Sequence, residues 1–277
     1  MRKERLTTKI ALTVFLFVVG IGSLYPFFFM ISSGFKPSGE VLGTPFLPIT
    51  ANSGIMNYVN LFSHPFYSFG RWFGNTVLMT GITLVFKYFI ITFTAYGFSK
   101  IRFPGRDAIF LVLLGALMIP GDIMIMPRYI IFKQLGILNT MWSIILPSAI
   151  DVYFVFLLRQ AFQGIPGSIS EAARIDGCSH FRIYSKIVMP LAKPAVWTML
   201  LFSFVWVWND YMSPYLYISD VNKQMLSVGV KLFSSGQVQD YGVQMAAATI
   251  VLVPTVILFF FTQKFFVEGV TDGAVKG

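Results

Sequence analysis

The sequence contains six long apolar stretches, which constrain the fold more than any other feature. A helix needs about 20 predominantly apolar residues to cross a bilayer. Stretches of this kind lie at residues 10–31, 75–99, 108–127, 142–158, 195–219 and 243–263. The first and last contain no charged residue, and each of the other four contains one. The pattern predicts an all-α, polytopic membrane protein with six transmembrane helices.

The composition also indicates that lipid surrounds most of the chain. Only 12% of the 277 residues are charged, whereas 56% are hydrophobic and 17% are aromatic. A soluble domain carries about 25% charged residues, which cover its surface. A water-soluble globular fold is therefore excluded.

Several function classes are not supported by the residue inventory. The single cysteine, Cys178, excludes an intrachain disulfide, and the isolated His64 and His180 indicate no metal cluster. The sequence contains neither a Gly-Lys dipeptide, as a Walker A loop needs, nor a GxGxxG motif. The net charge is +9, but the basic residues lie in short segments between the apolar stretches, so nucleic acid is not predicted. Any energy for work would therefore have to come from another chain or from an ion gradient.

The positions of the basic residues predict the orientation. With both termini in the cytoplasm, 14 of the 21 Lys and Arg residues lie inside and Lys87 lies within a span. Those outside are Lys36, Arg71, Arg128, Lys133, Lys223 and Lys231. This is the positive-inside bias. The first stretch is longer than the apolar core of a signal peptide, about 7–15 residues, so it is predicted to remain as a span. We expect residues 1–9 to form a cytoplasmic N-terminus and residues 10–277 a single transmembrane domain.

One long cytoplasmic loop, residues 164–193, has a distinctive local pattern. Ser168 and Glu171 have the spacing of a capping box, in which each side chain bonds a free amide at the start of a helix. Gly177 follows at the position of a left-handed helix C-cap. The pattern predicts a short helix between Ser168 and Gly177.

The rest of this loop predicts a second short helix. It would run from residue 179 to about residue 189 and end at Pro190. Ala172 and Ala173 give the first helix a small-residue face. The loop is therefore expected to form a rigid pair of short helices that projects from the membrane.

The same loop resembles the EAA loop of ABC importer permeases. The matching pattern is Glu171-Ala-Ala, three residues, Gly177, nine residues, then Ile187-x-x-Pro190. Met189 stands where that family has Leu. The fuller string Glu-Ala-Ala-Arg-Ile-Asp-Gly is similar to the carbohydrate-uptake, MalG-like branch of these binding-protein-dependent inner-membrane components. The Trp208-Asn209-Asp210 segment and the terminal Gly-Ala-Val-Lys-Gly agree with that branch.

The resemblance implies a type I ABC importer permease fold and a transport function without enzymatic activity. It implies that the loop is a coupling helix docked on an ATPase subunit, through Glu171, Ala172, Ala173, Ile175, Asp176 and Gly177. The implied partners are a second permease subunit in a heterodimer, two cytoplasmic ATPase subunits and an extracytoplasmic substrate-binding protein. ATP and Mg would be bound by the ATPases, with no cofactor in this chain. The implied location is the bacterial inner membrane, and the implied substrate is a sugar, an oligosaccharide in preference to a monosaccharide.

Polar residues within the spans are candidates for the substrate pathway, because an ionisable side chain in a membrane usually faces a cavity or another helix. Lys87 and Asp151 lie at similar depth in their spans, which is compatible with an ion pair that holds the two helices together. Trp and Tyr in the fifth stretch could equally form an interfacial aromatic belt. The pathway candidates are Asp122, Asp151, Trp206, Asn209, Asp210 and Tyr211.

Other transport classes remain open at this point. An ABC importer for a peptide or polyamine would have the same architecture. An ion-coupled secondary transporter could use Lys87, Asp122, Asp151 and Asp210 as a relay, although such proteins have inverted repeats and the sequence has no repeat at a fixed period. A membrane enzyme would need paired catalytic residues, and none occurs at a useful spacing.

Overall fold

A computed structural model describes residues 6–44, 46, 48–65, 67–233 and 240–274, with side chains from residue 8 to residue 263 within those ranges. Residues 1–5 and 275–277, which belong to the predicted termini, lie outside the described residues. The regular structure of the described chain is helical. In order, the helices are α1 (Leu6–Ser33), α2 (Ser38–Val41), α3 (Met56–Ser63), α4 (Phe69–Lys100), α5 (Arg106–Ala116), α6 (Ile125–Gln134), α7 (Trp142–Ala149), α8 (Val152–Gln163), α9 (Gly167–Ile175), α10 (His180–Ile183), α11 (Met189–Leu191), α12 (Lys193–Trp208), α13 (Met212–Tyr217), α14 (Leu226–Leu232) and α15 (Tyr241–Ala274).

Helices lie at all six apolar stretches. Among the described residues, four segments are long and apolar enough to cross a membrane on their own: Thr8–Ser33, Phe69–Lys100, Trp142–Gln163 and Tyr241–Gln263. The number rises to six if each of two bent helix pairs forms one span. The all-α prediction is confirmed, but the third, fourth and fifth stretches are each interrupted and do not form single continuous helices.

The third stretch is broken at Pro120. Helix α5 ends at Ala116, Pro120 has extended backbone with ψ 130, and a 3₁₀ turn at Gly121–Met124 leads into α6. The two parts meet at 87°. The sequence predicts a kink or break here because prolines remove helix hydrogen bonds. Pro127 does not break the helix, since it lies in the first turn of α6, where an amide donor is not needed.

The fifth stretch ends earlier than predicted. Helix α12 stops at Trp208 rather than continuing to residue 219. The Asp210 carboxylate accepts the Ser213 amide at 3.2 Å, which starts a separate short helix, α13. The sequence predicts a single helix here because the two turn residues, Asn209 and Asp210, are outnumbered by their aromatic and apolar neighbours.

The described chain divides into two compact units. The first comprises the residues up to Phe69 together with Gly229–Pro254. Within it, Asn57 Nδ2 donates hydrogen bonds to the carbonyl oxygens of Gly34 at 3.0 Å and Lys36 at 2.7 Å. These bonds hold the segment after α1 against α3.

The second unit comprises Gly70–Val228 and the chain from Thr255. Its core joins α4, α8, α12 and the 164–193 loop in one apolar cluster. Fully buried members of this cluster are Ile91, Ala95, Phe154, Leu158, Phe162, Ile183, Val188 and Met199. Since the loop contributes Ile183 and Val188, it is packed into the helical core of this unit.

A substitution at Gly242 would test the packing of the first unit. A Cβ atom there would lie 2.5 Å from Asn57 Nδ2 and 2.7 Å from the Lys36 carbonyl oxygen. We expect Gly242→Ala to lower the melting temperature in detergent, corresponding to about 1–3 kcal/mol of overpacking. Gly81→Ala is the control, because nothing lies within 4 Å of a Cβ there. Equal melting temperatures for the two variants would contradict this packing.

Candidate functional site

The most distinctive sequence motif lies on α9, a nine-residue helix. The helix begins after Pro166, and no side chain caps its N-terminus. The predicted capping box is therefore wrong: Ser168 lies inside the helix, because Pro166 and Gly167 already turn the chain into it. Glu171 is exposed and its carboxylate is not used in a cap.

The C-terminus of α9 has the predicted left-handed glycine. Gly177 has φ +80, its amide donates to the Arg174 carbonyl at 3.0 Å, and the Cys178 amide donates to the Ala173 carbonyl at 2.9 Å. This pair of bonds is the Schellman motif. It confirms the C-cap prediction and fixes the sharp turn between α9 and α10.

Gly177 is the position where a Cβ conflicts with this turn. We expect Gly177→Val to destabilise the end of α9 by about 1–2 kcal/mol, since L-residues disfavour positive φ. Hydrogen exchange at the amides of residues 174–178 should accelerate accordingly. Gly167→Ala is the control in the same helix, because its Cβ would have nothing within 4 Å. Unchanged exchange in Gly177→Val would show that the left-handed turn is not required.

The predicted coupling residues form one exposed surface. Glu171, Ala172, Ile175, Asp176 and Gly177 are exposed, and the Ile175 side chain is 88% exposed. Ala173 faces the opposite way and is only 7% exposed, within the apolar core. Ile175 is therefore an apolar side chain held outward at the end of α9, next to the left-handed Gly177. The structure thus places Ala173 on the supporting side of the motif.

The segment that follows the exposed α9 surface packs against α4. The Tyr184 hydroxyl lies 2.8 Å from Thr92 Oγ1, and the Tyr96 hydroxyl donates to the His180 carbonyl at 3.1 Å. The Phe181 ring lies 6.5 Å from that of Phe93. Sequence reasoning missed these anchors, because tyrosines in an apolar span carry no signal of their distant partners. The segment that follows α9 is therefore held against α4 by two hydrogen-bonded contacts and one ring contact.

The segment after α9 also differs from the prediction. Pro190 does not end the second helix, which continues through a π-helical turn at Tyr184–Val188 into α11. In that turn the Met189 amide bonds the Tyr184 carbonyl, five residues back. The wider turn accommodates the proline ring, which would clash with a carbonyl in a regular α-helix. The direction changes by 80° only at Ala192, before α12.

A buried ion pair joins three of the spans in the second unit. Lys87 Nζ lies 3.1 Å from Asp151 Oδ2 and 3.4 Å from Ser203 Oγ, and it lies 5.1 Å from the centre of the Phe154 ring. The Lys87 side chain is 4% exposed and that of Asp151 is 21% exposed. The predicted Lys87–Asp151 pair is confirmed. It explains how a lysine is tolerated deep in α4.

Asp151 has a second role that favours a structural function. The fourth stretch is interrupted between α7 and α8, and the Asp151 carboxylate accepts the Tyr153 amide at 3.1 Å as the N-cap of α8. The side chain therefore neutralises Lys87 and caps a helix within the span. Both tasks satisfy polar groups that lipid cannot satisfy.

The other candidates for the substrate pathway lie in different local environments. Trp206 packs on Phe154, with ring centres 5.1 Å apart. Asn209 caps α12 through its side-chain bond to the Val205 carbonyl, at 2.8 Å, while Asp210 starts α13. Tyr211 stacks on Tyr215. Asp122 is on a different element, the exposed 3₁₀ turn after Pro120. Asn209 and Asp210 are thus explained by local turns.

The described residues contain no group of three or more His, Cys, Asp or Glu side chains that could hold a metal ion. The apolar helices and the ion pair buried between them are those of an integral membrane protein, and the turn at the end of α9 is exposed on its surface.

The chain is a member of the family of binding-protein-dependent transport system inner membrane components, whose model matches residues 3–272. Members of this family are inner-membrane components of transport systems, so the chain is a transport protein and not an enzyme. Membership in this family excludes two of the alternatives left open by the sequence, an ion-coupled secondary transporter and a membrane enzyme.

Relatives match along nearly the whole chain. It is 34% identical to the probable ABC transporter permease protein YurM of Bacillus subtilis, over 95% of this chain and 87% of that protein. It is 30% identical to the arabinooligosaccharides transport system permease protein AraQ of the same organism, over 97% and 96%. A solved chain from a bacterial ABC transporter for import of the acidic polysaccharide alginate matches with a TM-score of 0.83, at 24% identity, over 96% and 98%. The fold is that of type I ABC importer permeases.

Proposed function

We propose that this chain is one of two permease subunits of an ATP-driven importer for an oligosaccharide. Relatives support this substrate class by their names, which include permeases for arabinooligosaccharides, polygalacturonan or rhamnogalacturonan, and diacetylchitobiose. Aromatic side chains near the end of α12, such as Trp206 and Tyr211, suit the apolar faces of sugar rings. The residues proposed to line the pathway are Asp122, Asp151, Trp206, Asn209, Asp210 and Tyr211.

The observation that carries the proposal is the α9 surface. Ile175 is 88% exposed on a turn fixed by Gly177, and Tyr96 and Tyr184 bond the neighbouring segment to α4. We assign this surface to one of two cytoplasmic ATPase subunits, which bind ATP and Mg. This chain itself would bind no cofactor.

The remaining partners follow from the same proposal. The apolar window of α1 is not buried by the rest of the described chain, so it is free to pack on a second permease subunit in a heterodimer or on lipid. An extracytoplasmic substrate-binding protein would deliver the sugar. One structural neighbour, with a TM-score of 0.60, is a bacterial alginate ABC transporter in complex with an alginate pentasaccharide-bound periplasmic protein.

The proposed mechanism is alternating access. ATP draws the two ATPases together, and the α9 turn moves with them. The bonds from α10 and the π-helical turn to α4, and the shared core with α8 and α12, carry this motion into the spans. The pathway then opens toward the binding protein, and hydrolysis resets it. Each ligand can drive this cycle only by binding the two conformations with different affinity.

The proposed orientation places both termini and the 164–193 loop in the cytoplasm of a bacterial cell. The bias of basic residues supports it, because 14 of 21 fall on that side.

Co-purification in mild detergent tests this assignment. We expect the tagged chain to bring with it a second permease and an ATPase whose hydrolysis rises when a sugar-loaded binding protein is added. Activation by a loaded peptide- or polyamine-binding protein instead would replace the sugar assignment. A stable chain that purifies alone and transports a solute with an ion gradient would contradict the proposal.

A further inference from the structure

Three side chains on one face of α4 contact the 164–193 loop. Thr92, Tyr96 and Lys100 follow one another at intervals of four residues, so they lie in a row along the helix. Lys100 Nζ donates to the Ile165 carbonyl oxygen at 2.7 Å. Ile165 lies two residues before the start of α9, whereas the contacts of Tyr96 and Thr92 lie after its end. This face of α4 therefore holds the loop on both sides of α9.

The Lys100 bond is made at the entry to α9. No side chain caps the N-terminus of this helix, so the local sequence does not anchor it there. Ile165 is 9% exposed and belongs to the apolar core, and Lys100 is half-buried. An ammonium group is a charged donor, and hydrogen bonds from charged donors are roughly twice as strong as neutral ones. The bond therefore fixes the point at which the chain leaves α8 and enters α9.

The same bond completes a pair of attachments between α4 and α8. Lys87 contacts Asp151, the N-cap of α8, and Lys100 contacts Ile165, two residues beyond the end of α8. Since both pairs follow the same order along the chain, α4 and α8 run parallel here. About 20 Å of helix separates the two lysines. A slide of one helix by one turn, about 5.4 Å, would break both contacts. The two lysines therefore set the axial register of α4 against α8.

We propose that Lys100 is a positioning residue for coupling, which makes α9 follow α4 and α8 as the transporter changes conformation. The inference rests on the proposed docking of the α9 surface on an ATPase subunit. Lys100 acts through the backbone at Ile165, on the side of the chain that enters α9, and is not part of the exposed surface around Ile175. With the bond in place, a displacement of α9 displaces both helices. Without it, the ATPase still docks, but its motion reaches the spans less effectively.

Lys100→Met tests this role in the purified complex, because it keeps an unbranched side chain and removes the charged donor. We expect the tagged chain to retain the ATPase as before. Hydrolysis stimulated by the loaded binding protein should fall about tenfold, the factor that a hydrogen bond from a charged group contributes. Lys100→Arg keeps a charged donor and should recover most of the stimulation.

Hydrogen exchange gives a second measurement that does not depend on transport. In Lys100→Met, the α9 amides of residues 171–174 should exchange about tenfold faster, because the entry to the helix is released. Lys100→Arg should restore slow exchange. Lys186→Met is the matched control, since it removes an exposed lysine of the same loop, and it should leave this exchange unchanged.

The outcomes separate a positioning role from a structural one. Lower stimulation and faster exchange in Lys100→Met, both recovered by Lys100→Arg at an unchanged melting temperature, support the proposal. Unchanged stimulation, or no recovery with Lys100→Arg, overturns it. Parallel losses of melting temperature, ATPase retention and stimulation also overturn it, because they indicate a residue needed only for the fold. An unmodified chain that retains no ATPase contradicts the proposed function itself, which is distinguishable from any difference between these variants.

Discussion

Replacing Ile175 with aspartate is expected to abolish transport by weakening the docking of the ATPase. The side chain is 88% exposed at the tip of the α9 turn and is held there by the Gly177 C-cap. In the proposed complex it enters an apolar contact with the ATPase. A carboxylate desolvated at such a contact costs about 2 kcal/mol or more, which weakens docking at least about 30-fold. Retention of the ATPase on a tagged chain, and stimulated hydrolysis, should both fall.

Two controls make this experiment specific. Ile175→Leu keeps an apolar side chain of the same volume and should retain the ATPase. The melting temperature of Ile175→Asp should match that of the unmodified chain, because a side chain this exposed contributes little to the fold. Full ATPase retention by Ile175→Asp would remove the α9 surface from the docking site.

Breaking the Lys87–Asp151 pair is expected to have the largest effect on folding. Lys87→Met leaves a carboxylate without its cation inside the spans, at 3.1 Å from where Nζ lies. Removal of one partner of a buried pair costs about 3–5 kcal/mol. We expect Lys87→Met to lose most of the properly folded protein, measured as the monodisperse fraction in size-exclusion chromatography and as the melting temperature.

The rescue must respect the second role of Asp151. Asp151→Asn removes the charge and keeps a side-chain oxygen for the Tyr153 amide, whereas Asp151→Leu also removes the cap of α8, worth about 1 kcal/mol. The double variant Lys87→Met with Asp151→Asn should therefore recover folding, and more fully than Lys87→Met with Asp151→Leu. Recovery of transport along with folding indicates a structural pair. A folded double variant that transports nothing would place the pair in the substrate pathway.

The membrane fold was predictable because it depends on long apolar stretches and on the distribution of Lys and Arg. The Lys87–Asp151 pair was also predictable, since lipid forces a deep lysine to find a carboxylate and Asp151 lies at similar depth. The left-handed Gly177 followed from local chain geometry. These features could be predicted because each depends either on a local sequence pattern or on the lipid that surrounds the chain.

The incorrect or missing predictions concern features that depend on neighbouring parts of the structure. Ser168 and Glu171 have capping-box spacing, but Pro166 starts α9 before Ser168 can cap it. Pro190 is absorbed by a π-helical turn rather than ending the helix. The anchors from Tyr96 and Tyr184 to the 164–193 loop join residues that are distant in the sequence. Spacing alone cannot predict such tertiary contacts.

We propose that this chain passes a sugar only when the cycle of ATP binding and hydrolysis in the ATPases moves the α9 surface. The most direct measurement is uptake of a labelled oligosaccharide into proteoliposomes that contain the complete complex, with the binding protein outside and ATP inside. We expect uptake that requires internal ATP, is absent with Ile175→Asp and persists with Ile175→Leu. Uptake without ATP, driven by an ion gradient through this chain alone, would contradict it.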